Sequence, residues 1–347
     1  MSAAESPAVR AESPGLWVLA MRRFSGDRVG MTSLAIVMLF LLLTVASGLQ
    51  LIAGDWGRES GVNYAPPAFM GADGNEPRVD AKAGTSASEE PATDSRIADP
   101  LADVLTEIRA ATPSAAASDA RAPTLAFGGD KWGRDVLKKT IKGTQTSMLV
   151  GVSAALLAVF IGMLLGALAG YYGGATDDLL NWFYSIFTAI PYLLLILAIA
   201  AVLNQKGTVT VVLILGLTGW TGIFRLVRAE YLKHKVREYI QAADAIGASH
   251  ARRMFVHILP NVSHVVLVQL SLHVVLFIKS EVILSFLGFG VGVDTVSWGS
   301  MLNEAQNELI LGKWWQLVAA TSSMALLVTA FGLFTDALRD ALDPRLK

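Results

Sequence analysis

The 347-residue chain contains no cysteine. Disulfides, thiolate metal sites and cysteine nucleophiles are excluded together, and the redox compartment is left open. Charge is also scarce: Asp, Glu, Lys and Arg make up 16% of the residues, where soluble domains average about 25%. Net charge is −1, so no global field draws nucleic acid or an anionic surface. None of the five histidines stands in an HxxxH or HExxH spacing, which argues against a metal site. No GxxxxGK[ST] phosphate loop, GxSxG elbow or paired-carboxylate arrangement occurs. The nearest text to a phosphate loop, Gly312-Lys313-Trp314, lacks every other element of one. Nothing here predicts ATPase or hydrolase chemistry, or a bound cofactor.

Long apolar runs are what the chain does have, within a composition that is 53% hydrophobic. The first, 29–53, follows Arg22, Arg23 and Arg28 and contains one Gln and no ionised side chain. At about 1.5 Å per residue it crosses a hydrocarbon core of roughly 30 Å. A signal-peptide core is shorter and carries a cleavage site, so a membrane anchor is the better reading. Five more runs follow, at 147–171, 181–203, 209–227, 262–289 and 315–338. None alternates like a strand, and a helix satisfies its own backbone in lipid. The expected fold is an all-α polytopic membrane protein of six transmembrane helices.

Lys and Arg in the loops set the expected orientation. The connection 228–260 holds Arg228, Lys233, Lys235, Arg237, Arg252 and Arg253; the arm 1–28 is basic, and the tail 339–347 carries Arg339, Arg345 and Lys347. Even numbers of spans separate these regions, so all three, and both termini, are expected in the cytoplasm. The connection with Asp177 and Asp178 lends no support. The long external connection, 54–142, is expected to be mostly mobile. From Asp55 to Ala126 it holds twelve acidic and six basic residues and few large apolar ones, too few to build a core. One short amphipathic helix is expected there, begun by Asp99-Pro100 and carried by Leu101, Val104, Leu105 and Ile108.

Within the spans, Gly162, Gly166 and Gly170 recur every four residues and bare one helix face for close packing. Pro191 removes a backbone donor and is expected to kink the third span. The fifth contains His273, Lys279 and Glu281. Charges at membrane depth usually face a bundle interior or a water-filled cavity, which makes these three candidates for lining a translocation pathway. The bland alternative is snorkelling or pairing with a neighbouring subunit. Trp298, Trp314 and Trp315 suit interfacial anchors.

The stretch 239–260 asks for a partner. Ala242, Ala243 and Ala245 favour helix, Gly247 interrupts it, Ser249 suits a second N-cap, and Pro260 closes the segment. Composition leaves two destinations open: the lipid surface or a groove on a soluble protein.

The spacing Gln241-Ala242-Ala243-x3-Gly247-x9-His257-x-Leu259-Pro260 resembles the "EAA loop" of permease subunits of ATP-binding-cassette importers. Gly133-Arg134-Asp135-Val136-Leu137, Gly143 and Leu149-Val150-Gly151 resemble the dipeptide/oligopeptide/nickel branch. Glu281, Leu284 to Gly290, Trp298-Gly299 and Arg339 to Pro344 are similar to its C-type subunit. The resemblance covers the chain except 55–125. It implies a permease core over 143–338 with a two-helix coupling loop at 228–260. Ala242, Ala243 and Gly247 would be the close-contact positions on an ATPase, with His257, Leu259 and Pro260 framing the return to the membrane. Gln241 departs from the usual Glu and puts an ionic version of that contact in doubt. Implied partners are a sister permease, two cytoplasmic ATP-binding subunits that carry the ATP and Mg, an extracytoplasmic binding protein and the lipid bilayer of a bacterial inner membrane. Peptides are the implied substrates, with nickel chelates or another small solute as alternatives. An ion-coupled secondary transporter is the rival class, but the internal repeats it calls for are not evident. A membrane sensor is a second rival without a visible output module.

Overall fold

The computed structural model describes residues 16–71, 121–292 and 294–342. Among them the chain is helical, and its only β pairing is a set of isolated bridges. Helix α1 (Leu16–Gly26) leads into α2 (Arg28–Gly48), whose N-cap Asp27 accepts a hydrogen bond from Val29 N. Next come α3 (Val136–Tyr172), α4 (Gly174–Thr188), α5 (Tyr192–Leu203), α6 (Thr208–Thr218) and α7 (Thr221–Lys235). The short α8 (Glu238–Ala245) is followed by α9 (His250–Phe286), α10 (Trp298–Ile310) and α11 (Trp315–Leu342). Five stretches are long and apolar enough to cross a membrane: α2, α3, α6 with α7, α9 and α11. The pair α4–α5 makes a sixth if it is counted as one span, although its halves meet at 81°.

That angle is larger than the kink expected of the third span, and the span begins at Gly174 rather than near 181. Pro191 ends one helix and opens the next as the N-cap of α5, because it has no N–H to carry the ladder across. The fifth span also differs from expectation. Pro260 does not close the coupling segment; it lies inside α9, one helix from His250 to Phe286. The six residues Arg253–Ile258, ahead of Leu259 and Pro260, take a wider π turn, which accommodates the missing donor.

Helix α3 organises the bundle because its glycines let neighbours reach its backbone. A Cβ on Gly162 would stand 2.6 Å from Trp220 O, one on Gly166 2.7 Å from Phe224 O, and one on Gly170 2.6 Å from Arg228 O. Each step of four on α3 meets a step of four on α7, so the two helices run parallel. Beside this seam Trp220 stacks on Phe183 at 5.5 Å, and Phe224 stacks on Tyr184 at 5.5 Å, fastening α4. At the end of the bundle where α2 begins, Phe24 of α1 is buried with Ala337, Ala341 and Leu342 of α11.

The chain divides into two compact units, Met1–Trp56 with Leu137–Lys347 and Gly57–Val136. In the second, the described ends of the long connection are hydrogen-bonded to each other. Val62 N donates to Ala122 O at 3.0 Å, Ala68 N to Leu125 O at 2.8 Å and Gly129 N to Ala65 O at 2.8 Å. Gly133 has φ +75°, and a side chain there would run into Gly61 O. The Asp130 carboxylate is buried and accepts from Trp132 N and Arg134 N. Main-chain bonds rather than a hydrophobic core close the base of this connection, so the apolar count did not reveal it. The helix expected after Asp99 lies outside the described residues.

Candidate coupling loop and membrane-embedded charges

Helix α8 stops at Gly247. The carbonyls of Asp244 and Ala243 accept from Gly247 N and Ala248 N, both at 2.9 Å, and Gly247 sits at φ +80°. This is the Schellman arrangement, in which the residue after the C-cap must be left-handed, so glycine fits without strain. Nothing lies within 4 Å of a Cβ built on Gly247. Its own chain therefore demands glycine for backbone conformation and not for space.

The same end of the bundle holds α8 by polar contacts. Arg253 pairs with Asp244 at 2.5 Å and donates to His250 Nδ1 at 3.0 Å. Arginine cannot accept, so Nδ1 is the acceptor, and Tyr171 Oη donates to it as well at 2.9 Å. Tyr231 Oη donates to Met254 O at 3.2 Å, with both residues buried. The last turns of α3 and α7 thus meet the first turns of α9, and α9 holds α8 through Arg253. Arg228 of α7 grips Asp177 of α4 in a two-pronged pair at 2.5 and 2.6 Å. That pair neutralises one of the two acids in the connection that lacks Lys and Arg.

The candidate residues divide sharply. Gln241, Ala242 and Gly247 are exposed, whereas Ala243 is only 5% exposed and packs inward. Of the expected trio, Ala242 and Gly247 face outward and Ala243 faces the bundle. Ile246, not singled out by the sequence, is 85% exposed at the tip. Gln241 Nε2 donates to Val236 O at 3.3 Å, the C-cap of α7. His257 and Leu259 are half-buried and Pro260 is exposed, all three on α9.

The three membrane candidates are not brought together. Glu281 is fully buried inside its own chain, where Ser147 Oγ and Ser285 Oγ each donate to it at 2.7 Å. Ser297, the N-cap of α10, is a third hydroxyl on it, and Trp298 N donates to Ser147 Oγ at 3.3 Å. The carboxylate therefore sits at the N-terminus of α10, where the helix dipole favours negative charge. His273 is buried and donates from Nδ1 to Gln269 O at 2.8 Å. Only Lys279 is exposed. Trp298 and Trp315 are buried in the bundle and so are not the interfacial anchors expected; Trp298 Nε1 donates to Thr140 O at 3.3 Å.

Sequence reasoning also missed a buried lysine. Lys139 of α3 is 1% exposed and reaches Glu304 of α10 at 2.5 Å and Gln316 of α11 at 3.1 Å. Its one signal was a lysine inside the helical run entering the second span. Among the described residues no cluster of three His, Cys, Asp or Glu could hold a metal ion.

A family model, binding-protein-dependent transport system inner membrane component, matches residues 162–347. The chain belongs to that family. Among the proteins it is similar to is the dipeptide transport system permease protein DppC of Bacillus subtilis (strain 168), 38% identical over 221 residues, 64% of this chain and 69% of that protein. The oligopeptide transport system permease protein OppC of the same organism is 36% identical over 221 residues, 64% of this chain and 72% of that one. The di/tripeptide transport system permease protein DppC of Pseudomonas aeruginosa (strain UCBPP-PA14) is 37% identical with the same coverage. These are transport permeases, and this family member is accordingly a multi-pass membrane protein. The matched residues contain the whole candidate coupling loop and α4 to α11, while the unit Gly57–Val136 lies outside them.

Proposed function

We propose that the chain is the C-type permease subunit of an ATP-driven importer of di- or oligopeptides. Its partners are a sister permease with which it encloses the pathway, two ATPase subunits that bind ATP and Mg, and a binding protein that delivers substrate from outside. The chain itself binds no cofactor. The loop 228–260 and both termini face the cytoplasm of a bacterium whose inner membrane holds the bundle. One observation carries this reading: an exposed tip (Gln241, Ala242, Ile246) is tied by Asp244–Arg253 to α9, which Tyr171–His250 and Tyr231–Met254 link in turn to α3 and α7. A push on α8 therefore reaches α3, α7 and α9 through short polar links, as coupling to a nucleotide-driven partner requires. Bond-breaking stays with the ATPases, and this subunit converts their closure into movement of its helices.

Gly247→Val in the complete transporter tests the assignment. Valine at φ +80° is strained by about 1–2 kcal/mol, which unwinds the end of α8. The expected result is a subunit still present in the membrane, with peptide uptake lost and ATP hydrolysis no longer stimulated by loaded binding protein. Normal uptake by this variant would remove the loop from the mechanism.

A further inference from the structure

Lys279 stands on an otherwise apolar stripe of α9. Leu276, Ile283 and Phe286, at helical spacings of three, four and seven from it, are 37–38% exposed. The described helices leave this stripe partly uncovered. Lys279 lies seven residues inside the end of α9, about two helical turns. Side chains on a helix lean towards its N-terminus, so this ammonium leans away from the nearer end of the span and deeper into the membrane. Snorkelling outwards would run against that lean and past Ile283 and Phe286. Among the described residues no acid forms an ion pair with Lys279. Glu281, two residues on, faces the interior with its oxygens already bonded to serines. A cation at that depth calls for water or an anion beside it.

We propose that Lys279 lines the translocation pathway and binds the C-terminal carboxylate of a peptide in transit. The inference rests on the peptide-permease reading above and adds the substrate group recognised and the residue that recognises it. A zwitterionic peptide crossing an apolar wall loses hydration at its carboxylate. A single lysine replaces part of that hydration with a charge-assisted hydrogen bond, while its flexible stem lets the peptide move on. The neighbouring Leu276 and Ile283 leave the side chains of varied peptides unselected.

The absence of cysteine makes a direct test available, since Lys279→Cys introduces the chain's sole thiol. In the complete transporter reconstituted with its partners, Lys279→Cys is expected to lower uptake of a free-carboxylate dipeptide about tenfold or more. The C-terminally amidated dipeptide should be affected far less. Mass spectrometry of this chain should show labelling by membrane-impermeant methanethiosulfonates, slowed by the free-carboxylate dipeptide. The aminoethyl adduct, which restores a cation, should recover its uptake, and the sulfonatoethyl adduct should not. A thiol that stays unlabelled, equal behaviour of the two adducts, or equal loss for both dipeptides would overturn the proposal, the last pointing to a contact with the sister subunit. Normal peptide uptake by Lys279→Ala would overturn it while leaving the permease reading intact. A wild-type complex that moves no peptide would remove both.

Discussion

Helix α3 is held in two different ways along its length. Towards its C-terminus three glycines press on the backbone of α7 with no polar bond in the seam. Towards its N-terminus Lys139 and Ser147 are buried polar anchors, which bind α10 through Glu304 and through Trp298 N and Ser297 around Glu281. The first kind of contact is shape alone, because lipid supplies no hydrophobic drive between helices. The second kind is directional, and a buried charge makes any other arrangement costly. A glycine seam lets α3 and α7 carry Tyr171 and Tyr231 to the coupling loop as one body. The polar anchors pin α10 to its neighbours at the opposite end. One subunit thus combines an end suited to moving as a block with an end suited to staying where it is.

The comparison breaks most severely at its glycine side. Gly166→Leu drives a side chain into the Phe224 carbonyl, with backbone on the other side of the collision. A cost of about 3 kcal/mol or more is expected for overpacking that cannot be relieved by a rotamer change. The measured outcome should be loss of folded subunit from detergent extracts. Gly332→Ala in α11, where nothing lies within 4 Å of the new Cβ, should be neutral or stabilise by about 0.5–1 kcal/mol. Equal behaviour of the two variants would mean that the seam does not hold the bundle.

The polar side predicts an asymmetry. Glu304→Gln strips the carboxylate from a lysine that remains charged and buried, at a cost of about 3–5 kcal/mol. Lys139→Met removes the buried charge and leaves Glu304, whose side chain is 30% exposed, to be hydrated; about 1–2 kcal/mol is expected. Thermal unfolding in detergent should rank Glu304→Gln well below Lys139→Met. The reverse order would show that the carboxylate and not the lysine is the enclosed charge.

Much of the architecture is legible in the sequence, for a definite reason. Apolar runs long enough to span and the four-residue glycine period are both local patterns. What stayed hidden is non-local or conformational. Glu281 reads as an intramembrane charge, but Ser147, 134 residues earlier, is what satisfies it. Trp298 has the composition of an interfacial residue and turns out to be core, since its neighbours Gly143 and Phe40 come from distant helices. The base of the long connection is closed by main-chain bonds between residues some sixty positions apart, which leave no mark on hydropathy. At the coupling loop the helix, the glycine break and the Ser249 cap were legible. The inward face of Ala243 and the exposed Ile246 depend on how α8 is rolled against α9.

The smallest expected effect is at Gln241, and it sharpens what the moving end requires. Its amide donates to the carbonyl of Val236, the residue that caps α7. A glutamate is acceptor-only at neutral pH, so Gln241→Glu cannot make this bond and sets a carboxylate against a carbonyl dipole. The contact is exposed and 3.3 Å long, so the cost is about 0.5 kcal/mol, at the low end for a solvated hydrogen bond. Stability should scarcely change. What should change is the angle at which α8 is presented, because this bond links its second turn to the end of α7. If a basic group on the ATPase met a carboxylate here, Gln241→Glu would strengthen coupling and make it salt-sensitive, screened over roughly 10 Å at 0.1 M. If the contact is instead shape-based, as Ala242 and the apolar Ile246 imply, the variant should couple slightly less well, with no new dependence on salt. Stimulated ATPase activity measured against ionic strength decides between the two.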